Sequence, residues 1–233
     1  MAGGLSVGLK LAVFDVDGTL SDSRQVIAQA MATAFAGVGL PDPGYDRTRR
    51  IVGLSLHEAV ARLAPEDLSA PLLDRLVEGY KRAFVTQREA DGFSEPLYAG
   101  ALDTVERLAE TGWLIGLATG KARRGVEMFL HTHPEIARHV LSAKCADDGP
   151  GKPNPHMLEQ VMAELGARAE ETVMIGDTSF DIAMARAARV EPHGVAWGFH
   201  TVAEIQAADP HAIHADFDEL KGGLDAFAPG GAG

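Results

Sequence analysis

Apolar and polar positions alternate in two rhythms along this chain. Residues 9–14, 113–118 and 172–175 are short, nearly continuous apolar runs, and a weaker one covers 190–197. Their length and their Val, Ile and Phe content predict strands buried on both faces. Between them lie helical spacings: Leu102, Val105 and Leu108, then 125–130, then 157–165. Strands alternating with helices predict an α/β fold, a doubly wound parallel sheet with right-handed crossovers. In such sheets ligands gather beyond the carboxyl ends of the strands.

Residues 21–95 break the alternation. Val26, Ile27, Ala30, Met31, Ala34 and Phe35 form one helical stripe. Ser55-Leu-His-Glu58 reads as a capping box opening a second helix through Leu63. Leu72, Leu73, Leu76, Tyr80, Ala83 and Phe84 carry a third stripe. A segment of this length between two core strands exceeds a loop. It predicts an all-helical cap at 21–95 on a core formed by 1–20 and 96–233. Hinges are expected at 21–24 and 93–96, and a frayed tail at 229–233.

Composition narrows the partners. With 46% hydrophobic and 23% charged residues the chain can bury a sizeable core. A formal net charge of -12 disfavours nucleic acid and acidic membranes, which need clustered Lys and Arg. One cysteine, Cys145, allows no internal disulfide. No apolar run approaches the roughly 18 residues of a membrane-spanning helix. A cytoplasmic protein, monomer or homodimer, is the expectation.

Four segments, three at strand ends and one in a rigid loop, carry candidate chemistry. Asp15-Val-Asp17-Gly-Thr19 sets two acids on one side of an extended segment. A carboxylate there can attack phosphorus, and a second acid can serve the leaving oxygen and then water. The same residues could instead cap a turn. Thr119-Gly120 offers a hydroxyl and a backbone N–H before a helix expected from Lys121, an anion site or an ordinary cap. Lys152, in Gly-Pro-Gly-Lys-Pro-Asn-Pro, is either a fixed charge or a solvated turn residue. Asp177 and Asp181, four apart after the third strand, can reach one centre of the hard-oxygen kind Mg²⁺ prefers, or can acidify a helix N-terminus.

Taken in order, these motifs resemble those of the haloacid dehalogenase-like hydrolase superfamily with a helical type 1 cap, over nearly the whole chain. The resemblance implies Asp15 as nucleophile and metal ligand, and Asp17 as acid/base with its backbone carbonyl on Mg²⁺. It also implies Thr119 and Lys152 on the transferred phosphoryl group, Asp177 as a ligand, and Asp181 as a ligand through water or a support. Residues 96–100, 117–121 and 151–155 are similar to phosphoglycolate phosphatase-like members. In the cap, 51–56 resembles their substrate-facing segment, so Gly53, Leu54 and Ser55 are expected at the substrate, with Gly120.

The resulting expectation is a Mg²⁺-dependent phosphomonoesterase for a small phosphorylated metabolite. A pyrophosphatase, a sugar-phosphate phosphatase or mutase, and an inert phosphate binder are the alternatives. Six of the histidines (131, 133, 193, 200, 211 and 214) are read as packing or surface groups. Arg47, Arg49 and Arg50 are read as a solvated helix face, or as a greeting for a substrate carboxylate.

Overall fold

The computed structural model of the protein describes residues 8–90 and 95–229. The expected tail beyond Pro229, and residues 93 and 94 of the second hinge, lie outside them.

Six strands form one sheet: β1 (Lys10–Phe14), β2 (Trp113–Ala118), β3 (Val140–Lys144), β4 (Thr172–Gly176), β5 (Glu191–Val195) and β6 (Ala212–His214). All pair in parallel in the order β3-β2-β1-β4-β5-β6. The chain therefore winds outward in both directions from β1 and β4, and the switch point falls between them.

Side-chain alternation along β1 shows why both faces must be covered. Ala12 and Phe14 join a cluster with Val105, Leu108, Leu220 and Leu224. Leu11 and Val13 turn to the opposite cluster with Met157, Leu158, Val161 and Met184. The helices that follow the insert are α5 (Ala101–Glu110), α6 (Arg123–Thr132), α7 (Pro134–Ala137), α8 (His156–Leu165), α9 (Ser179–Ala187), α10 (Val202–Gln206) and α11 (Phe217–Asp225), so numbered because four precede them.

Two strands escaped the sequence pattern. In β3 only Ser142 is fully buried and Leu141 is exposed, because this is an edge strand with no apolar run. The other, β6, has three residues and ends in a histidine.

The insert holds α1 (Arg24–Ala36), α2 (Tyr45–Arg49), α3 (Leu56–Leu63) and α4 (Ala70–Arg88). All six apolar positions anticipated on α1 are buried, and Ile27, Met31, Ala34 and Phe35 share a cluster with Leu76 and Val77 of α4. Ser55 does precede α3, but its side chain makes no capping bond. Glu58 instead pairs with Arg62 one turn on, at 2.8 Å, which removes it from the expected box.

Neither reading of the arginine cluster holds for Arg49. Its guanidinium lies 2.7 Å from Glu204 and donates to the Phe199 carbonyl at 3.2 Å, tying α2 to the core. Arg47 donates to the Leu63 carbonyl. Three of the histidines, His193, His200 and His214, are buried packing groups.

The Arg49 bond, ahead of burial, holds the Glu204 carboxyl down to about 2 from 4.5. The folded value is depressed, so this tie is complete above pH 4.5 and is lost as pH falls toward 2. Replacing Arg49→Met is expected to accelerate amide hydrogen exchange in α2 at neutral pH while leaving β1 protected. Unchanged exchange in α2 would show that the pair does not seat the insert.

Candidate active site

The site forms where β1 and β4 end side by side. Asp15 continues β1 by donating its N–H to the Ile175 carbonyl at 2.9 Å. Its Oδ1 accepts from the Val16 N–H at 2.7 Å and lies 2.9 Å from Lys152 Nζ. Its Oδ2 is buried with no hydrogen-bond partner. Gly18 then turns the chain at φ +83°, and a Cβ there would sit 2.3 Å from Asp177 Oδ2. Only glycine meets both conditions.

At the end of β4, Asp177 accepts from the Thr19 hydroxyl at 2.9 Å and from the Phe199 N–H at 2.7 Å. Thr178 caps α9 in a reciprocal box: its N–H and hydroxyl donate to Asp181 Oδ2 at 3.0 and 2.7 Å. The other Asp181 oxygen lies 2.6 Å from Lys152 Nζ. Lys152 is wholly buried between two acids, which excludes the solvated-turn reading.

Oxygens of Asp15, Asp177 and Asp181 come within 4.8 Å of one another. Burial pushes the Asp15 carboxyl up to about 6; Lys152 opposes this, while Asp181 and Asp17 add to it. Burial, then the charges of Asp15 and Asp181, raise Asp177 well above its ordinary value. For Lys152, burial acts to lower the value, but the two carboxylates outweigh it and hold the ammonium charged. Three buried acids therefore share one buried lysine, and Asp15 Oδ2 has no donor. A hard divalent cation fits that donor set. The Asp17 side chain stands outside this group.

The Asp17 carboxylate turns instead to Lys121, at 2.8 Å. Lys121 also lies 3.3 Å from Glu95, which pairs with Arg88 at 2.5 Å. Burial acts to lower the Lys121 value, and Asp17 and Glu95 together raise it. The Phe84 ring lies under both cations, 4.7 Å from Arg88 and 5.5 Å from Lys121. Sequence reasoning missed this chain of charges. Lys121 directly follows Thr119-Gly120, but α6 begins only at Arg123 rather than at Lys121, which frees the lysine to turn back toward Asp17.

A cavity of about 770 Å³ opens above these residues, lined by Asp15, Asp17, Thr119, Gly120 and Lys121 from the core. Gly53, Leu54 and Ser55, the cap residues expected at the substrate, line it from the insert. A Cβ on Gly120 would come 2.7 Å from the Gly53 carbonyl, so the insert rests directly on this turn. The Thr119 hydroxyl accepts weakly from the Lys121 N–H, at 3.3 Å. Lys152 lies beneath Asp15 rather than in the cavity wall, and Asp177 and Asp181 lie with it.

A model of the family described as haloacid dehalogenase-like hydrolase matches residues 12–195, most of the chain. The chain belongs to that family. Among relatives of this hydrolase is the protein named "Probable phosphatase IndB" of Dickeya dadantii (strain 3937), 29% identical over 93% of this chain and 94% of its own. A phosphoglycolate phosphatase of Aliivibrio fischeri is also 29% identical, over 91% and 95%. A hydrolase from Pseudomonas syringae has the same fold, with a TM-score of 0.82 at 24% identity over 94% of this chain and 99% of that one.

The charge balance has a measurable consequence. Without a cation, the raised Asp15 value contributes stability below pH 3.8 that is lost as pH rises through about 6. In chelator, the urea midpoint is expected to fall over that window, and a saturating divalent cation should abolish the fall. Lys152→Met should lower stability in chelator by about 3–5 kcal/mol, because it strands buried carboxylates. A variant as stable as the parent in urea would refute this account.

Proposed function

We propose that the chain is a Mg²⁺-dependent phosphomonoester hydrolase that works through an aspartyl-phosphate on Asp15 and acts on a small phosphorylated metabolite. The observation that carries this reading is the buried, unpartnered Asp15 Oδ2 at the floor of the cavity, beside Lys152 and two further acids. A carboxylate oxygen in that position is oriented by the Val16 N–H and Lys152 on its sister oxygen, leaving its own lone pairs for phosphorus.

Asp15 Oδ2 forms the new bond to phosphorus as the bond from phosphorus to the ester oxygen breaks. Asp17 gives its proton to the departing oxygen. It then takes a proton from the water that attacks the aspartyl-phosphate, releasing phosphate and restoring Asp15. Thr119 and the Gly120 backbone receive the phosphoryl oxygens, and Lys152 offsets charge from behind Asp15. Held by Asp15, Asp177 and the Asp17 carbonyl, Mg²⁺ would neutralise charge shared between the nucleophile and the phosphoryl group. Both Asp181 oxygens already serve Lys152 and the α9 cap, so Asp181 supports the site rather than ligating directly.

In this reading residues 1–20 and 96–233 are the catalytic core and 21–95 the cap that selects the substrate. The ladder contact of Ser21 with Leu97 and the bond from the Asp22 N–H to Pro96 hold the two connecting segments together. Among the described residues no helix is long and apolar enough to cross a membrane. A free, buried Cys145 suits the reducing cytoplasm. The oligomeric form is a monomer or homodimer.

Phosphate release from p-nitrophenyl phosphate tests the assignment. Turnover is expected with Mg²⁺ and is expected to vanish with chelator. Asp15→Asn should reduce it to background without lowering the urea midpoint in chelator, since the change keeps the shape and removes one of three crowded charges. Asp17→Asn should slow it by about 10²–10⁴-fold. Full activity in Asp15→Asn would end the proposal.

A further inference from the structure

The cavity is larger and more apolar than a short acidic metabolite requires. At about 770 Å³ it falls in the upper range of pockets that enclose drug-sized ligands. A two-carbon phosphoester would leave most of it to water. The volume belongs to the insert in contact with the core, through Gly53 on Gly120 and Arg49 on Glu204.

The apolar lining combines half-buried Leu56, Tyr80, Phe84 and Val85 with Ile27, Met31, Val52 and Val77, which are themselves almost wholly buried. Water against such a surface is displaced favourably by apolar matter. On α4 the Tyr80 and Phe84 rings, with centroids 5.8 Å apart, also line the cavity and supply an aromatic face.

A carboxylate on the substrate would look for a cation there. Among the described residues lining the cavity, Lys121 is already shared by Asp17 and Glu95, Arg88 is paired with Glu95, and Lys81 is paired with Glu78. Arg124, the remaining lysine or arginine of the lining, is exposed. Glu89 and Asp147 add negative charge to the same lining. An anionic body in the cavity would therefore meet two acids and, apart from exposed Arg124, only cations that already have carboxylate partners.

From volume, lining and charge together we infer that the alcohol released by this enzyme is a large apolar or aromatic body rather than a short carboxylic acid. This rests on the phosphomonoesterase reading and narrows its substrate class. The phosphoryl group sits at Asp15, and the organic part packs against α1, α4 and the 51–54 segment.

Calorimetric binding of two phosphonates that cannot be hydrolysed tests it, with Mg²⁺ present: (1-naphthylmethyl)phosphonate and phosphonoacetate. The naphthyl compound is expected to bind at least about tenfold more tightly, a difference of roughly 1.4 kcal/mol or more. Val85→Asp, at a half-buried position, should cut that ratio by about tenfold, and so should Met128→Asp at an exposed position of the lining. Equal or tighter binding of phosphonoacetate would overturn the inference. A naphthyl preference unchanged in both variants would overturn it as well, because the selectivity would then lie elsewhere. The same preparations are assayed on p-nitrophenyl phosphate. Turnover without naphthyl preference would sink this inference alone, whereas naphthyl preference without turnover would sink the phosphatase reading.

Discussion

A buried ammonium group holds this site together. Lys152 is sealed from solvent between Asp15 and Asp181, at the point where a third acid, Asp177, also converges. Burying even one carboxylate without a partner is strongly unfavourable, and three together are tolerable only if opposite charge and donors surround them. Thr19, Thr178 and the N–H groups of Val16 and Phe199 supply the donors, and Lys152 supplies the charge. What remains is an excess of negative charge around one unpartnered oxygen. That excess is the physical basis for both cation affinity and nucleophilic attack.

The parallel sheet makes the convergence possible. Every strand points its carboxyl end the same way, so residues far apart in the chain arrive on one rim. Asp15 leaves β1 and Asp177 leaves β4, its hydrogen-bonded neighbour, while Thr119 leaves β2 on the other side. Glycines allow the close approaches: Gly18 and Gly198 leave room for Asp177, and Gly176 leaves room for Asp181. A side chain at any of the three would displace a carboxylate.

A second charge system lies on the opposite side of Asp17 and has a different task. Asp17, Lys121, Glu95 and Arg88 alternate in sign from the core turn to the end of α4. Because Glu95 lies beside the segment joining insert and core, the network couples the position of α4 to the carboxylate of Asp17. It also consumes the cations that an anionic leaving group would need. The apolar stripe that folds the insert and the apolar wall of the cavity share residues, notably Ile27, Met31, Val52 and Val77.

Local sequence determined much of this. The buried strands β1, β2 and β4 were legible because both faces are covered, so nearly every position is apolar. The helical insert was legible from its stripes, the acids and Thr119 from their places at strand ends, and Lys152 from the Pro- and Gly-rich loop that carries it. Edge strands β3 and β6 were not legible, since one exposed face removes the apolar run. The missing Ser55 box, the later start of α6 and the strut from Arg49 to Glu204 depend on which partner is nearer in space. Glu58 had Arg62 one turn away, and Arg49 had a core helix beside it. Tertiary structure alone decided that Lys121 would face Asp17 rather than the helix it precedes, and that Asp181 would spend both oxygens on Lys152 and Thr178. Spacing along a chain reports which groups can share a strand end or a helix face. Only packing decides which charges are buried together and which of their lone pairs are left over.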